Sequence, residues 1–198
     1  AGLPLASLLA FAMTGFIAIL TETLPAGLLP DISQGLGVSQ VMAGQLVSLY
    51  ALGSLLAAIP LIVLTSGWRR KKVLLLAIGI FVIFNTITTF SASYWLTLAA
   101  RFMSGVAAGL AWGMLAGYAR RLVAPDLQGR ALAIAMVGIP VALSLGTPAG
   151  SWLGNMLGWR VAFGVMAALA IVLFIWAWVA VPDLPGQKAD RRLPVWQV

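Results

Sequence analysis

Two ionisable side chains stand inside long apolar runs. Glu22 lies within the run from Leu5 to Leu29, and Arg101 within the run from Leu96 to Tyr118. A charge in such a place is costly, so it faces a cavity, another charge or a proton path. Glu22 is the one carboxylate inside a run, and so the candidate proton carrier. Counted from the same end of the runs, both residues lie roughly 8–11 Å deep at 1.5 Å rise per residue. They are expected to pair if their helices are neighbours. A static ion pair, or an Arg reaching back to the headgroups, is the competing reading. Thr21 and Thr23 flank Glu22, and Gln45, Tyr50, Asn85 and Trp112 are further polar or amphipathic groups within runs. Each alone reads as an interhelical hydrogen bond or as packing. Around one cavity, Thr21, Gln45, Tyr50, Asn85 and Trp112 would give an apolar pocket with a few polar anchors.

Other chemistries lack their residues. The 198-residue chain has no Cys, no His and only five acidic residues. Thiol catalysis, His-based acid–base work and thiolate or imidazole metal sites are excluded, so no metal, no cofactor and no enzyme activity are expected.

The elements that position these groups follow from composition. Apolar residues make up 62% and charged residues 9%, and mean hydropathy is +1.03. A soluble domain has about 25% charged residues. The reading is an all-α membrane protein with six spans, each needing roughly 20 apolar residues. The runs cover Leu5–Leu29, Val41–Thr65, Val73–Phe90, Leu96–Tyr118, Ala131–Asn155 and Val161–Val181. Breaks fall at Pro30-Asp31, Ser66-Gly67, Ser91 to Tyr94, Pro125-Asp126, Gly158 and Pro182-Asp183. Residues 1–182 thus form one bundle and 183–198 a polar linker. The first run is too long for a signal-peptide core and has no basic flank. The absence of an initial Met suggests residues before Ala1.

The net charge of +7 is a topology signal. Arg69, Arg70, Lys71 and Lys72 form a basic loop after span two. With Arg120, Arg121, Arg130, Lys188, Arg191 and Arg192 they fall on one side, against Arg160 opposite. The positive-inside rule puts that side and both termini in the cytoplasm. The expected neighbours of this charge are anionic lipids of the bilayer, and not nucleic acid.

Small residues and prolines complete the pattern. Gly105, Gly109, Gly113 and Gly117 continue every fourth residue from Arg101, a spacing that lets helix backbones approach. A step of four residues turns 400°, so the row drifts about 40° per step. Span five carries Gly138, Pro140, Gly146, Pro148, Gly150 and Gly154. This is either a kinked packing helix or a deformable seam between moving halves.

These residues resemble the major facilitator superfamily, across nearly the whole chain, as its N-terminal six-helix half. Glu22-Thr-Leu-Pro-Ala-Gly-Leu-Leu-Pro-Asp-Ile32 is similar to the first-span signature of bacterial arabinose/sugar efflux transporters in the drug:proton antiporter group. Ala43 to Gly53 fits the second span of that group. Arg101-Phe-Met-Ser-Gly105 resembles the fourth-span motif whose Arg is linked to proton coupling. Gly146-Thr-Pro148-Ala-Gly150 resembles the fifth-span antiporter motif, with Thr147 where Gly is usual and Ser151-Trp152 where paired glycines are expected. Gly158-Trp-Arg-Val-Ala-Phe163 resembles the start of span six. In the loop between spans two and three, Ser66 and Gly67 replace the usual Asp-Arg pair, which puts the charge-relay gate of that loop in doubt.

The resemblance implies two inverted three-helix repeats in the inner membrane of a bacterium. It implies efflux of sugars or small amphipathic compounds against protons, by alternating access. Glu22 and Arg101 would couple the proton, and Gly138, Pro140, Gly146, Pro148 and Gly150 would form the hinge of the antiporter motif. The partner would be a C-terminal six-helix half, on the same or a separate chain. A non-transporting fragment of a truncated gene and a homodimeric half-transporter are the alternatives.

Overall fold

The computed structural model describes residues 2–186. Residues 187–198 of the expected linker, with Lys188, Arg191 and Arg192, lie outside the described residues. Among the described residues, six helices are long and apolar enough to cross a membrane. They are α1 (Leu5–Leu36), α2 (Gln40–Leu64), α3 (Arg70–Phe90), α4 (Tyr94–Arg121), α5 (Pro125–Leu157) and α6 (Trp159–Ala180). The expected all-α fold of six spans is the fold observed.

Most helices extend beyond the apolar runs that announced them, although α2 and α6 end one residue earlier, at Leu64 and Ala180. The largest difference is in α1. Pro30-Asp31 reads as a break, yet the helix passes through it. A 3-10 segment, Leu24–Leu28, tightens the chain, and a helical turn restarts at Leu29–Leu36 with Pro30 in its first turn. Proline is tolerated there because its missing N–H would have no helical partner. The helix ends at Gly37, whose φ of 64° suits glycine. Asp31 is therefore half-buried in a helix rather than in a loop. Likewise Arg70, Lys71 and Lys72 form the first turn of α3, with Arg69 as its N-cap.

α5 is irregular for a reason visible in its sequence. Pro140 and Pro148 each remove one backbone donor. Between them Ala142–Gly146 widens into a π turn, and Thr147 Oγ1 donates to the Ala142 carbonyl at 3.1 Å.

Helices pack as α2 on α4, α1 on α5 and α3 on α6. A two-fold axis exchanging α1–α3 with α4–α6 maps the first pair onto the second and the third onto itself. α1 and α4 are the most buried, and α2 and α5 the most open. Between membrane helices packing replaces the hydrophobic effect, so small residues set the contacts. A Cβ at Gly105 would overlap the Tyr50 carbonyl, and one at Gly53 the Phe102 carbonyl. A Cβ at Gly138 would overlap the Ala12 carbonyl of α1.

At the basic end, the chain leaving α6 is strapped across the bundle. Tyr118 Oη donates to the Pro182 carbonyl at 2.5 Å. The Arg70 amide donates to Leu184 O at 2.8 Å, and Arg121 Nη2 to Pro185 O at 2.8 Å. Arg69 forms an ion pair with Asp183.

Candidate functional site

Arg101 lies in the middle of the bundle and is fully buried. Its position on α4 faces both α1 and α2. Nε donates to the Leu46 carbonyl of α2 at 3.0 Å, and Nη1 to the Thr21 carbonyl of α1 at 2.5 Å. Both acceptors are main-chain groups. Four residues after Thr21 stands Pro25, which has no N–H, so the guanidinium supplies a charge-assisted donor to a carbonyl that lacks its helical one. The Tyr50 ring lies 4.7 Å and the Phe163 ring 5.8 Å from Cζ, placing aromatic faces against the cation. Nη2 has no partner among the described residues.

Thr21, Tyr50 and Asn85 surround this charge. Asn85 Nδ2 donates to Thr21 Oγ1 at 3.3 Å, and Tyr50 Oη to the Ala18 carbonyl at 2.7 Å. All three are at most 1% exposed. Ser104, one helical turn beyond Arg101, is buried beside it, and its Oγ and Asn85 Oδ1 have no partner among the described residues. Thus α1, α2, α3 and α4 meet at one polar knot in an apolar interior.

The structure does not join Glu22 to Arg101. Among the described residues the one ion pair is Arg69 with Asp183. Equal depth leaves direction open. Thr21, whose carbonyl Arg101 holds, is one residue away, and one residue turns a helix by about 100°. That turn puts Glu22, half-buried, on the stripe of α1 with Leu9, Met13, Phe16, Ile19 and Ala26, without a hydrogen bond or ion pair to Arg101 among the described residues. A further turn points Thr23 to α5, where Thr23 Oγ1 and Thr147 Oγ1 lie 2.8 Å apart.

The remaining expected site residues are spread. Gln45 is exposed on α2. Trp112 is half-buried on α4, its ring beside Gly15 of α1. Gly138 and Gly146 are buried against α1, Gly150 is half-buried there, and Pro140 and Pro148 are exposed. The basic residues Arg69, Arg70, Lys71 and Lys72 are far from the knot, at the end of the bundle.

Sequence reading overlooked Ser104, Phe163 and the Thr23–Thr147 pair. Ser104 had a signal, since i and i+3 share a helix face. Thr147 also had one, as the departure from the motif glycine. Nothing local marks Phe163, which reaches Arg101 through tertiary packing.

Residues 11–196 match the model of the Major Facilitator Superfamily. The MFS-type transporter YtbD of Bacillus subtilis, itself uncharacterised, is 37% identical over 188 residues, 94% of this chain and 48% of its own. The purine ribonucleoside efflux pump NepI of Escherichia coli is 31% identical over 88% of this chain and 44% of its own. A probable sugar efflux transporter of Helicobacter pylori is 28% identical over 93% and 47%. The chain spans about half the length of these curated relatives. The proton:xylose symporter XylE superposes with a TM-score of 0.77 at 17% identity, over 91% of this chain and 45% of XylE. A bacterial homologue of the lysosomal transporter Spinster gives 0.78 at 18%, over 98% and 47%. With six apolar helices and these relatives, the chain is a multi-pass membrane protein that belongs to the Major Facilitator Superfamily of transporters.

Proposed function

We propose that this chain forms one six-helix half of a bacterial proton-coupled efflux transporter for small polar or amphipathic molecules. It works with a second six-helix half, on the same or a separate chain, in the inner membrane with both termini cytoplasmic. The names of two relatives, a sugar efflux transporter and a purine ribonucleoside pump, suggest a polyhydroxyl substrate. The observation that carries the reading is the link from Arg101 to the Thr21 carbonyl, one residue before Glu22.

Deprotonated Glu22 on its stripe of α1 strengthens the field that holds Arg101 against that helix. Protonation removes that charge. Arg101 then favours its α2 partner, Leu46, and its hold on α1 weakens. α1 is already interrupted at Leu24–Leu28, so its outer part can tilt against α5. Substrate and proton thus bias the same two-state packing, which is the requirement for coupling. Gln45 and Trp112, partly open, would meet substrate. Thr21, Tyr50 and Asn85 would support the wall behind it.

The test is efflux from proteoliposomes holding the complete transporter, with a sugar and a purine ribonucleoside as separate substrates. Glu22→Gln should abolish efflux driven by a proton gradient and leave substrate binding. Gradient-driven efflux at the wild-type rate would remove Glu22 from the mechanism.

A further inference from the structure

The basic end holds a second polar feature that the transport reading does not use. A cavity of about 140 Å³ opens between α2, α3 and α4, lined by Ser66, Arg70, Gly113, Gly117, Tyr118 and Arg121 among others. That is roughly four to five times the ~30 Å³ share of a liquid water. Two guanidiniums share the cavity. Arg70 spends Nε and Nη2 on the Trp68 and Thr65 carbonyls, closing the end of α2. Arg121 spends Nη2 on Pro185 O. The other N–H groups, on Arg70 Nη1 and on Arg121 Nε and Nη1, have no hydrogen-bond partner among the described residues. The nearby Asp183 is taken by Arg69, so no carboxylate among the described residues pairs with either cation.

Two like charges facing one small cavity repel each other unless something negative lies between them. Guanidiniums match the oxygens of a phosphate through paired N–H bonds. Arg70 is held by the Thr65 and Trp68 carbonyls and Arg121 by the Pro185 carbonyl, which reduces the ordering needed on binding. The cavity is open where glycine replaces side chains on α4: a Cβ at Gly117 would meet nothing within 4 Å.

We infer that this cavity is a binding site for a phosphate group of net negative charge, either the headgroup of an anionic phospholipid or a free phosphate. The phosphate sits between Arg70 and Arg121, with the Ser66 hydroxyl at the rim. The same Arg121 holds the strap after α6, so occupancy also stiffens that strap.

The experiment uses the full purified chain in mild detergent. Phosphatidylglycerol, phosphatidic acid and phosphatidylcholine are offered in native mass spectrometry, and inorganic phosphate in calorimetry and as a competitor. Both anionic lipids should bind at least about tenfold tighter than phosphatidylcholine. Arg70→Gln with Arg121→Gln should weaken this about tenfold or more, as expected for loss of charged hydrogen bonds. Gly117→Leu keeps every charge and fills the cavity, and it should weaken binding as much. Arg130→Gln, at the same end but outside the cavity, should change it less than about twofold. Competition by inorganic phosphate would assign the site to free phosphate, and lack of competition to the lipid. Wild-type affinity in Gly117→Leu, or an equal loss in Arg130→Gln, would overturn the site in favour of diffuse charge attraction. If the double Arg variant fails to fold, the Gly117→Leu comparison still decides.

Discussion

Arg101 on α4 holds the main-chain carbonyl of Thr21 on α1 at 2.5 Å. The buried cation is therefore anchored to backbone, and the carboxylate nearest in sequence to that anchor, Glu22, stands on a different face of α1. Charge and helix position are joined through one hydrogen bond, which makes several outcomes predictable.

Glu22 and Asp31 should separate cleanly. Glu22→Gln should stop proton-driven efflux, whereas Asp31→Asn, in the turn that restarts α1, should retain most of it. Transport assayed across a pH series in the complete protein checks this. Loss of coupling in Asp31→Asn alone would move the proton site to the outer part of α1.

Arg101→Ala should destabilise the bundle by about 3 kcal/mol or more, because it removes two interhelical bonds and leaves a cavity. Arg101→Lys keeps the charge and reaches fewer partners, so its loss should be smaller. Adding Glu22→Gln to Arg101→Ala should not restore folding, since no direct ion pair is broken. Thermal unfolding in detergent measures all three. Recovery in the double variant would mean that the two side chains do pair.

Glycines on one row should respond in opposite directions. Gly105→Ala forces a methyl into the Tyr50 carbonyl, and should cost roughly 1–3 kcal/mol through overpacking. Gly117→Ala meets open space and should gain about 0.5–1 kcal/mol from helix propensity. Unfolding temperatures of the two variants suffice. Equal behaviour would mean that α2 and α4 are not in close contact.

Orientation can be read in intact cells because the chain has no cysteine of its own. Ala92→Cys lies in the turn between α3 and α4, and Gly129→Cys lies at the basic start of α5. A membrane-impermeant thiol reagent should label Ala92→Cys and spare Gly129→Cys. The reverse pattern would invert the topology.

The sequence announced the helices because lipid-facing segments must be apolar along their whole length. It misplaced their ends where turn chemistry is ambiguous: Pro30 is as compatible with a helix start as with a loop. Arg101 was legible as an anomaly in an apolar run. Its partners were harder to read, because main-chain carbonyls carry little sequence signal: only Pro25, four residues after Thr21, marks one of them as lacking a helical donor. A charge inside a membrane invites pairing with the opposite charge, and backbone acceptors are easily overlooked. The strap at Pro182–Gly186 was hidden for the same reason, since three of its ties end on main-chain oxygen. Thr23 and Thr147 each stand out in the sequence, but only the α1–α5 packing brings them together.

The π turn at Ala142–Gly146 has a consequence for winding. In a regular helix a row of glycines every four residues slides around the axis by about 40° per step. Along α4, Gly105 and Gly109 lie against Tyr50 and Ser54, while a Cβ at Gly117 would meet nothing within 4 Å. The row of α5 does not slide away. Gly138 meets Ala12, Gly146 meets Phe16, Gly150 meets Leu24 and Gly154 meets Leu28. The wider turn unwinds the accumulated rotation, like a slipped thread reset on a screw, and keeps one edge of α5 against α1 over its length. Deleting a single residue from Ala142–Gly146 would restore the ordinary pitch. The half beyond it would then rotate its glycines off α1, a far greater disturbance than any one side-chain change in that segment.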